Sequence, residues 1–451
     1  MIIITRAEQA ASTIEHSLGT AEYSYYFVLE AFRPLLERIG TVVTVGEARP
    51  MTWNPIGVWY QLEERREPAN PRVEVGAIKQ ICRTAGEPCV FLDFSPPHRM
   101  AFDVACPAAP VFAWEYDDIP NETWAGDPQQ NWAAVLEFVG AALVHSNHAL
   151  EAVNGVLHAP VSVAAIPAPI YDRFASVPNT ADRTDPLVFS VDARIHDSRR
   201  RPQVAATSAL AATATFTISR SATTRHSRVR DPVRLSIDGV LYTAVLNPAD
   251  GRKNWRMIVQ AFIAALRDQE RATLLLKFVH REPETGLEAL AALCASEQPF
   301  RCRVVAMNAF LSDKDYRRLA GRSQFAVNAS SGEGQCLPLM EYMSCGTPAI
   351  APDHSALADY IGGENAFVVA SEPKATGWPH DPRSILRTRH HPPVPASLVR
   401  AFEDSYRCFV EEPERYRAMC QNARETMQAH CSDAVIEPRL RAFIEALGAR
   451  P

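Results

Sequence analysis

Glu333 and Glu341, with seven residues between them, bracket a short turn that can do chemistry neither carboxylate could do alone. The segment reads Ser330-Ser331-Gly332-Glu333-Gly334-Gln335-Cys336-Leu337-Pro338-Leu339-Met340-Glu341, and the apolar run Phe325-Ala326-Val327 precedes it. That run predicts a buried strand, and Pro338 suits the first turn of a helix, where its missing N–H has no partner to lose. In such a strand-turn-helix unit the amides of Gly334, Gln335, Cys336 and Leu337 converge at the positive end of the helix dipole, a seat for a diphosphate. Glu341, one turn into the helix, can then accept hydrogen bonds from the vicinal hydroxyls of a sugar, with Glu333 on the other side of the anion. Arg252-Lys253 stands at the start of another expected helix and offers cations to the same diphosphate as its charge grows on leaving. Taken singly, a glutamate pair or a helix-initial lysine is usually solvated charge, so the weight rests on the combination.

The whole segment resembles the E-x7-E signature of retaining glycosyltransferases with the GT-B architecture, family 4 in particular. Glu333, Gly334, Leu337, Pro338, Glu341, Met343, Cys345, Gly346, Pro348, Ile350 and Ala351 stand at matching positions, and Gln335-Cys336 replaces the usual Phe-Gly. The resemblance implies transfer of a sugar from a nucleoside diphosphate sugar to an acceptor hydroxyl, with the anomeric configuration kept. It implies Glu341 at the nucleotide ribose, Glu333 at the donor sugar hydroxyls, and the amides of residues 334–337 with Lys253 at the diphosphate. Family members also carry an Arg several residues before that Lys; here Asn247-Pro248 occupies the region and Arg252 stands beside Lys253. Gly19-Thr20-Ala21-Glu22 is similar to the family's G-G-x-E turn, which faces the donor across the cleft. Glu115 stands where many relatives have a His that touches the donor sugar. A carboxylate there can stabilise an oxocarbenium-like centre, orient the acceptor hydroxyl, or serve only as a structural hydrogen-bond partner. With cations and helix amides to balance the leaving group, and no Asp-x-Asp in a suitable loop, no metal or other cofactor is expected.

Two α/β halves are needed to position these groups. In the first, Ile2-Ile3-Ile4, a helix over Tyr25 to Ile39 and Thr41 to Val45 form a strand-helix-strand unit, and strands are expected around Cys89–Leu92, Val111–Trp114 and Ala142–His145. In the second, strands are expected at Leu241–Leu246, Ala272–Val279, Cys302–Met307 and Ala366–Val369, with the signature segment between the last two. The fold class is therefore α/β, two Rossmann-like domains facing each other across a cleft, which is GT-B if the resemblance holds. The expected divisions are 1–172, a connecting or inserted Ala/Thr/Arg-rich segment at 173–240, the nucleotide-sugar domain at 241–415, and helices at 416–451 that cross back to the first half. Trp114, Tyr116, Trp124 and Trp132 are either core or an acceptor platform, and His98, His145 and His148 have no recognisable partner.

Composition sets the outer bounds. A chain of 451 residues that is 47% apolar suffices for more than one core, and a net charge of −6 argues against nucleic acid as a partner. No run approaches the roughly 20 apolar residues that cross a bilayer, so a cytoplasmic protein is expected. The basic stretch including Arg199-Arg200-Arg201, Arg225, Arg228 and Arg230 reads as a solvated face, with peripheral contact to anionic lipid at the inner face of a membrane as the minority reading. The ten cysteines show no C-x-x-C pair and are expected to be reduced thiols. The residues leave two alternatives open: another enzyme on the same scaffold, such as a nucleotide-sugar epimerase or a sugar phosphorylase, and a catalytically silent binding subunit.

Overall fold

Apolar runs without polar alternation make strands that must be covered on both faces, and each half of the chain assembles such strands into a parallel sheet. The structure is a computed structural model. It describes residues 1–45 except 8–13, 15–17 and 20, residues 71–179 except 102, 103 and 105, residues 186–199, and residues 233–450. In the first half the order is β1 (Ile2–Ala7), α1 (Ala21–Ile39), β2 (Thr41–Thr44), α2 (Pro71–Ala85), β3 (Cys89–Phe94) and β4 (Ala108–Phe112). It continues with α3 (Trp132–Val139), β5 (Ala141–Val144), α4 (Asn147–Asn154), β6 (Ser162–Ala165) and α5 (Tyr171–Ala175). The sheet runs β2-β1-β3-β4-β5-β6, all parallel.

The second half follows the same logic. Its elements are β7 (Leu187–Val191), β8 (Arg194–Asp197), β9 (Val233–Ile237), β10 (Val240–Leu246), α6 (Trp255–Leu266), β11 (Ala272–Phe278), α7 (Pro283–Ser296), β12 (Arg303–Asn308) and α8 (Asp313–Arg322). Next come β13 (Phe325–Val327), α9 (Leu337–Ser344), β14 (Ala349–Ala351), β15 (Ala366–Val368), β16 (Lys374–Gly377), β17 (Leu386–His390), α10 (Pro395–Glu411), α11 (Pro413–Cys431) and α12 (Asp433–Gly448). The main sheet runs β15-β14-β13-β10-β11-β12-β8, parallel except for β8. Strand order reverses between β10 and β13, so the loops after these two strands diverge and leave a crevice at the carboxyl edge, the usual ligand position in open α/β sheets.

Part of the stretch expected to connect the halves is built into the second one. β8 pairs antiparallel with β12, and Arg303 of β12 forks onto Asp197 at 2.8 Å and Asp238 at 2.9 Å. β7 and β9 form their own antiparallel pair, burying Phe189 and Leu235. Arg225, Arg228 and Arg230 lie outside the described residues. The last helix returns to the first half: Leu440, Phe443 and Ile444 of α12 share a core with Ile3, Leu29 and Phe32, and Arg38 of α1 pairs with Glu437 at 3.0 Å. Among the described residues, no helix is long and apolar enough to cross a membrane.

Candidate functional site

β13 delivers the signature turn to the switch-point crevice, and the turn's side chains form one connected network. Glu333 is only 4% exposed, and its Oε1 accepts hydrogen bonds from Lys253 Nζ (2.6 Å), Ser330 Oγ (2.6 Å) and Asn328 Nδ2 (2.7 Å). Burial alone would raise its pKa. The charges of Lys253 and Arg252 outweigh it and hold the carboxyl down at about 2, so Glu333 is an anion across the physiological range. Lys253 and Arg252 come from the turn after β10, where the Asp250 carboxylate accepts from the Arg252 N–H and starts a short 3₁₀ turn.

Arg252 joins the two halves. Its Nη1 donates to Gly332 O (2.7 Å) and lies 3.2 Å from Glu115 Oε1 of the first half, while Nη2 pairs with Asp250 at 3.1 Å. Glu115 sits three residues beyond β4; burial raises its pKa and Arg252 opposes that rise. Sequence expectation placed Glu115, Glu333, Arg252 and Lys253 in one site, and the structure brings all of them together. The turn itself packs so closely on the first half that a Cβ at Gly334 would lie 2.7 Å from Ala113 Cβ and 2.9 Å from Trp114 N, which only glycine accommodates.

Gln335 and Cys336, the departures from the Phe-Gly pattern, have separate roles. Gln335 is buried, its Oε1 accepts from Ala168 N across the interface (2.6 Å) and its carbonyl accepts from Tyr360 OH (2.9 Å). Cys336 adopts φ 63° and ψ 64°, the left-handed conformation that a glycine would take without strain. Asn328 Nδ2 contacts its sulfur at 3.1 Å, and burial pushes the thiol up to about 12. α9 then begins at Leu337 with Pro338 in its first turn. The N–H groups of Gly334, Gln335, Cys336 and Leu337 donate to no protein acceptor among the described residues, which leaves four orphan donors at a helix start.

Glu341 lies one turn further on. Tyr316 OH of α8 donates to its Oε2 at 2.6 Å, and burial raises its pKa against the help of Tyr316 and Arg173. Across the cleft, Gly19 has φ +83° and its carbonyl accepts from Asn247 Nδ2 at 2.8 Å, so the residue at the expected Arg position ties the first-half turn to the second half. Thr20 lies outside the described residues. Asn328, Ser330 and Asn247 were not singled out from the sequence, although polar residues just past a buried parallel strand are a usable signal. Tyr316 had no such signal.

The far rim of the cleft is closed by the β16–β17 hairpin. Its base is fixed to the second half by His391 N donating to Ser331 O (2.6 Å), and its arm reaches the first half. Trp378 is buried, donates Nε1–H to Asp118 Oδ1 (2.9 Å) and stacks on Trp124. Arg383 and Arg387 each pair with Glu122 at 3.1 Å, and His391 Nε2 meets Asp117 Oδ1 at 3.0 Å. The role of Gly377-Trp378-Pro379-His380-Asp381, unread from sequence, is thus to bridge the halves. Beside it lies a crevice of about 380 Å³ lined by Asp117, Asp118, Ala375, Leu386, Arg387, Thr388 and Arg389. Trp114, Tyr116, Trp124 and Trp132 are buried as core. His145 bonds the Ile166 carbonyl and His98 stacks on Trp132. Among the described residues, no three His, Cys, Asp or Glu side chains are grouped to hold a metal ion.

Comparison with known proteins agrees with this geometry. Residues 238–377 match the family model described as glycosyl transferases group 1. The serotype-specific mannosyltransferase WbdA of Escherichia coli is 29% identical over 161 residues, 35% of this chain; the chain covers 18% of the length of that relative. Among solved structures, sucrose-phosphate synthase from Thermosynechococcus elongatus superposes with a TM-score of 0.56 at 15% identity, covering 100% of this chain and 99% of that one. A glycosyltransferase from Rickettsia africae ESF-5 gives 0.55 at 10% identity, covering 100% and 99%, and Anabaena HepE in complex with UDP gives 0.53 at 11%, covering 99% and 99%. The chain has the GT-B fold, two Rossmann-like units face to face, and residues 238–377 within it match the glycosyl transferases group 1 model.

Proposed function

We propose that this protein is a retaining glycosyltransferase that moves a sugar from a nucleoside diphosphate sugar to a hydroxyl of a glycan acceptor. The observation that carries this reading is the convergence, at the switch-point crevice, of an ionised buried Glu333, two cations and four orphan amides, with Glu115 facing them from the other half. The amides of residues 334–337 and Lys253 bind the diphosphate, Arg252 adds positive charge, Glu333 orients the sugar hydroxyls, and the free side of Glu341 takes the ribose diol. HepE, which shares the fold, is in complex with UDP, and this supports a nucleotide-linked donor.

In the reaction the bond from the anomeric carbon to the phosphate oxygen breaks while the acceptor oxygen bonds to that carbon on the same face. The acceptor's proton passes to the leaving phosphate, so no side chain is required as a base. Lys253 and the amides stabilise the charge that develops on the diphosphate, and the Glu115 carboxylate stabilises the positive charge at the anomeric carbon. The close packing of Gly334 on Ala113 excludes water that would otherwise hydrolyse the donor. Glycan acceptors enter from the 380 Å³ crevice beside the hairpin, whose carboxylates and guanidinium groups suit a polyol.

A thermal-shift panel of UDP-, GDP-, dTDP- and ADP-sugars tests the donor class, because a ligand that binds only the folded state raises the melting temperature. At least one should do so, and the product made from it should keep the donor's anomeric configuration by NMR. Binding to none of the four removes the reading; an inverted product removes retention.

A further inference from the structure

Lys277 carries its ammonium at the end of a largely buried side chain, without a protein hydrogen-bond partner among the described residues. It is the sixth residue of β11, 5% exposed, and pairs in register with Val245 of β10 and Met307 of β12, in the middle of the sheet near its carboxyl edge. Side chains two apart on a strand share a face. Leu275, two residues earlier, lies in the core cluster that includes Leu339 and Met340 of α9, so Lys277 faces the same layer at its open end. Among the described residues its ammonium has no hydrogen-bond partner, and the charge acting on it is the Glu341 carboxylate. One oxygen of Glu341 is already taken by Tyr316.

An ammonium carries three donors, and losing most of its water costs free energy that a bound acceptor returns; Nζ is not sealed from solvent, so such an acceptor can reach it. A single carboxylate that does not reach hydrogen-bonding contact is a poor return for that cost, since a partly satisfied buried pair is worse than a well-packed apolar one. Methionine or leucine at 277 would continue the apolar run Leu274-Leu275-Leu276 and would pack without penalty. The Arg expected several residues before Lys253 is also missing, and Asn247 in its place is engaged with Gly19. The earlier cation expected in the turn after β10, ahead of Arg252 and Lys253, is therefore absent, and one stands on the strand beside it with no protein partner among the described residues.

We propose that Lys277 is a donor-binding residue that holds the nucleoside end of a nucleoside diphosphate: its ammonium bonds the phosphate nearest the ribose, whose diol Glu341 accepts. This rests on the proposed donor site and adds to it a division of labour. Lys253 serves the phosphate that leaves with charge, while Lys277 serves the phosphate joined to the ribose. Lys277 then contributes affinity for nucleotide more than rate, because the charge it meets changes little in the transition state.

Calorimetry on the full chain with UDP and GDP as probes tests this, comparing wild type with Lys277→Met and Lys277→Arg. Lys277→Met should lose tenfold or more in affinity for whichever diphosphate the wild type binds, Lys277→Arg should recover part of it, and kcat at saturating donor should fall less than threefold. The melting temperature without ligand should be equal or higher in Lys277→Met, because a partly desolvated charge has been removed; a fall of several degrees without loss of affinity would make Lys277 a structural partner of Glu341 and overturn the proposal. A pH series gives a second readout. Burial lowers the Lys277 pKa to about 8 despite Glu341, and bound phosphate raises it again, so wild-type affinity should be full below pH 8 and decline above it. The other groups facing this place are Glu341 of α9, Tyr316 and Asp313 of α8, Tyr23 of α1 and Arg173 of α5; the two tyrosines are pushed above 10 and stay neutral through the series. Lys277→Met should give a flat profile, and a wild-type decline retained in that variant refutes the assignment. If the wild type binds no nucleoside diphosphate at all, the donor site itself is refuted, a result distinct from equal binding by wild type and variant.

Discussion

Replacing Lys253 by methionine should separate its structural contribution from its chemical one. In the folded protein Glu333 is held at about 2 instead of the usual 4.5, and at ~1.36 kcal/mol for each tenfold change this corresponds to about 3 kcal/mol of stability at pH 7. Lys253, in contact at 2.6 Å, supplies the largest favourable share, with Arg252 at 3.8 Å and the Ser330 hydroxyl supplying the rest. A loss of about 1–2 kcal/mol follows, or a fall in melting temperature of about 2–8 °C for a domain of this size. The sign of the pH dependence is fixed: a depressed carboxyl stabilises above its unfolded pKa and loses that stabilisation as pH falls from 4.5 towards 2. The gap between wild type and Lys253→Met should therefore be full at pH 7 and shrink to about half near pH 3. Scanning calorimetry at the two pH values measures it. Transfer at pH 7, followed by product mass spectrometry, should slow by well over tenfold, since the diphosphate loses a counter-charge worth a few kcal/mol in the transition state. Equal melting temperatures at both pH values, or a rate near wild type, would refute the reasoning.

Glu341→Ala should weaken nucleoside diphosphate binding by tenfold or more, and unchanged affinity by calorimetry removes its ribose role. Gly334→Ala forces a methyl to within 2.7 Å of Ala113 Cβ and must push the halves apart, so transfer should fall by about a hundredfold, as for an ångström-scale misplacement, while Gly362→Ala, which meets nothing within 4 Å, should be indistinguishable from wild type. Activity should persist in excess chelator; complete loss that Mg²⁺ restores would show that a metal shares the neutralising role given to Lys253 and the amides.

What could be read from the chain was whatever local pattern determines. The apolar runs gave most strands of both sheets but not β6, β8 or β14, whose short runs carry little pattern, and Pro338 marked the start of α9, because a missing N–H is tolerated only there. Glu333, Lys253 and Arg252 were legible because each sits just past a strand whose carboxyl edge faces the crevice. Tyr316 and Lys277 were not, since their nearness to Glu341 depends on how α8 packs and on strand register, neither of which a linear pattern encodes. The arm from Lys374 to His390 was hidden for another reason: its strands are short and polar, with burial alternating irregularly, and its partners Asp118, Glu122 and Trp124 lie more than two hundred residues earlier. Cys336 shows the limit of pattern matching from the other side, because a residue that breaks the family pattern adopts the left-handed backbone natural to the glycine it replaces.

Besides the central contacts of Arg252 with Glu115 and of Gln335 with Ala168, the fastenings at the two rims of the cleft are unequal. At one rim, among the described residues, Asn247 and Gly19 share one hydrogen bond at 2.8 Å. At the other, freeing the arm would expose Trp378, cut its bond to a carboxylate and break two ion pairs; the indole's burial and its charged hydrogen bond are worth about 1.5–3 kcal/mol each, far more than exposed ion pairs. If the central contacts release, the arm is the stronger hinge and the Gly19 turn the weaker edge. On the proposed function, nucleotide would be exchanged at that weaker edge while the crevice beside the arm keeps its shape.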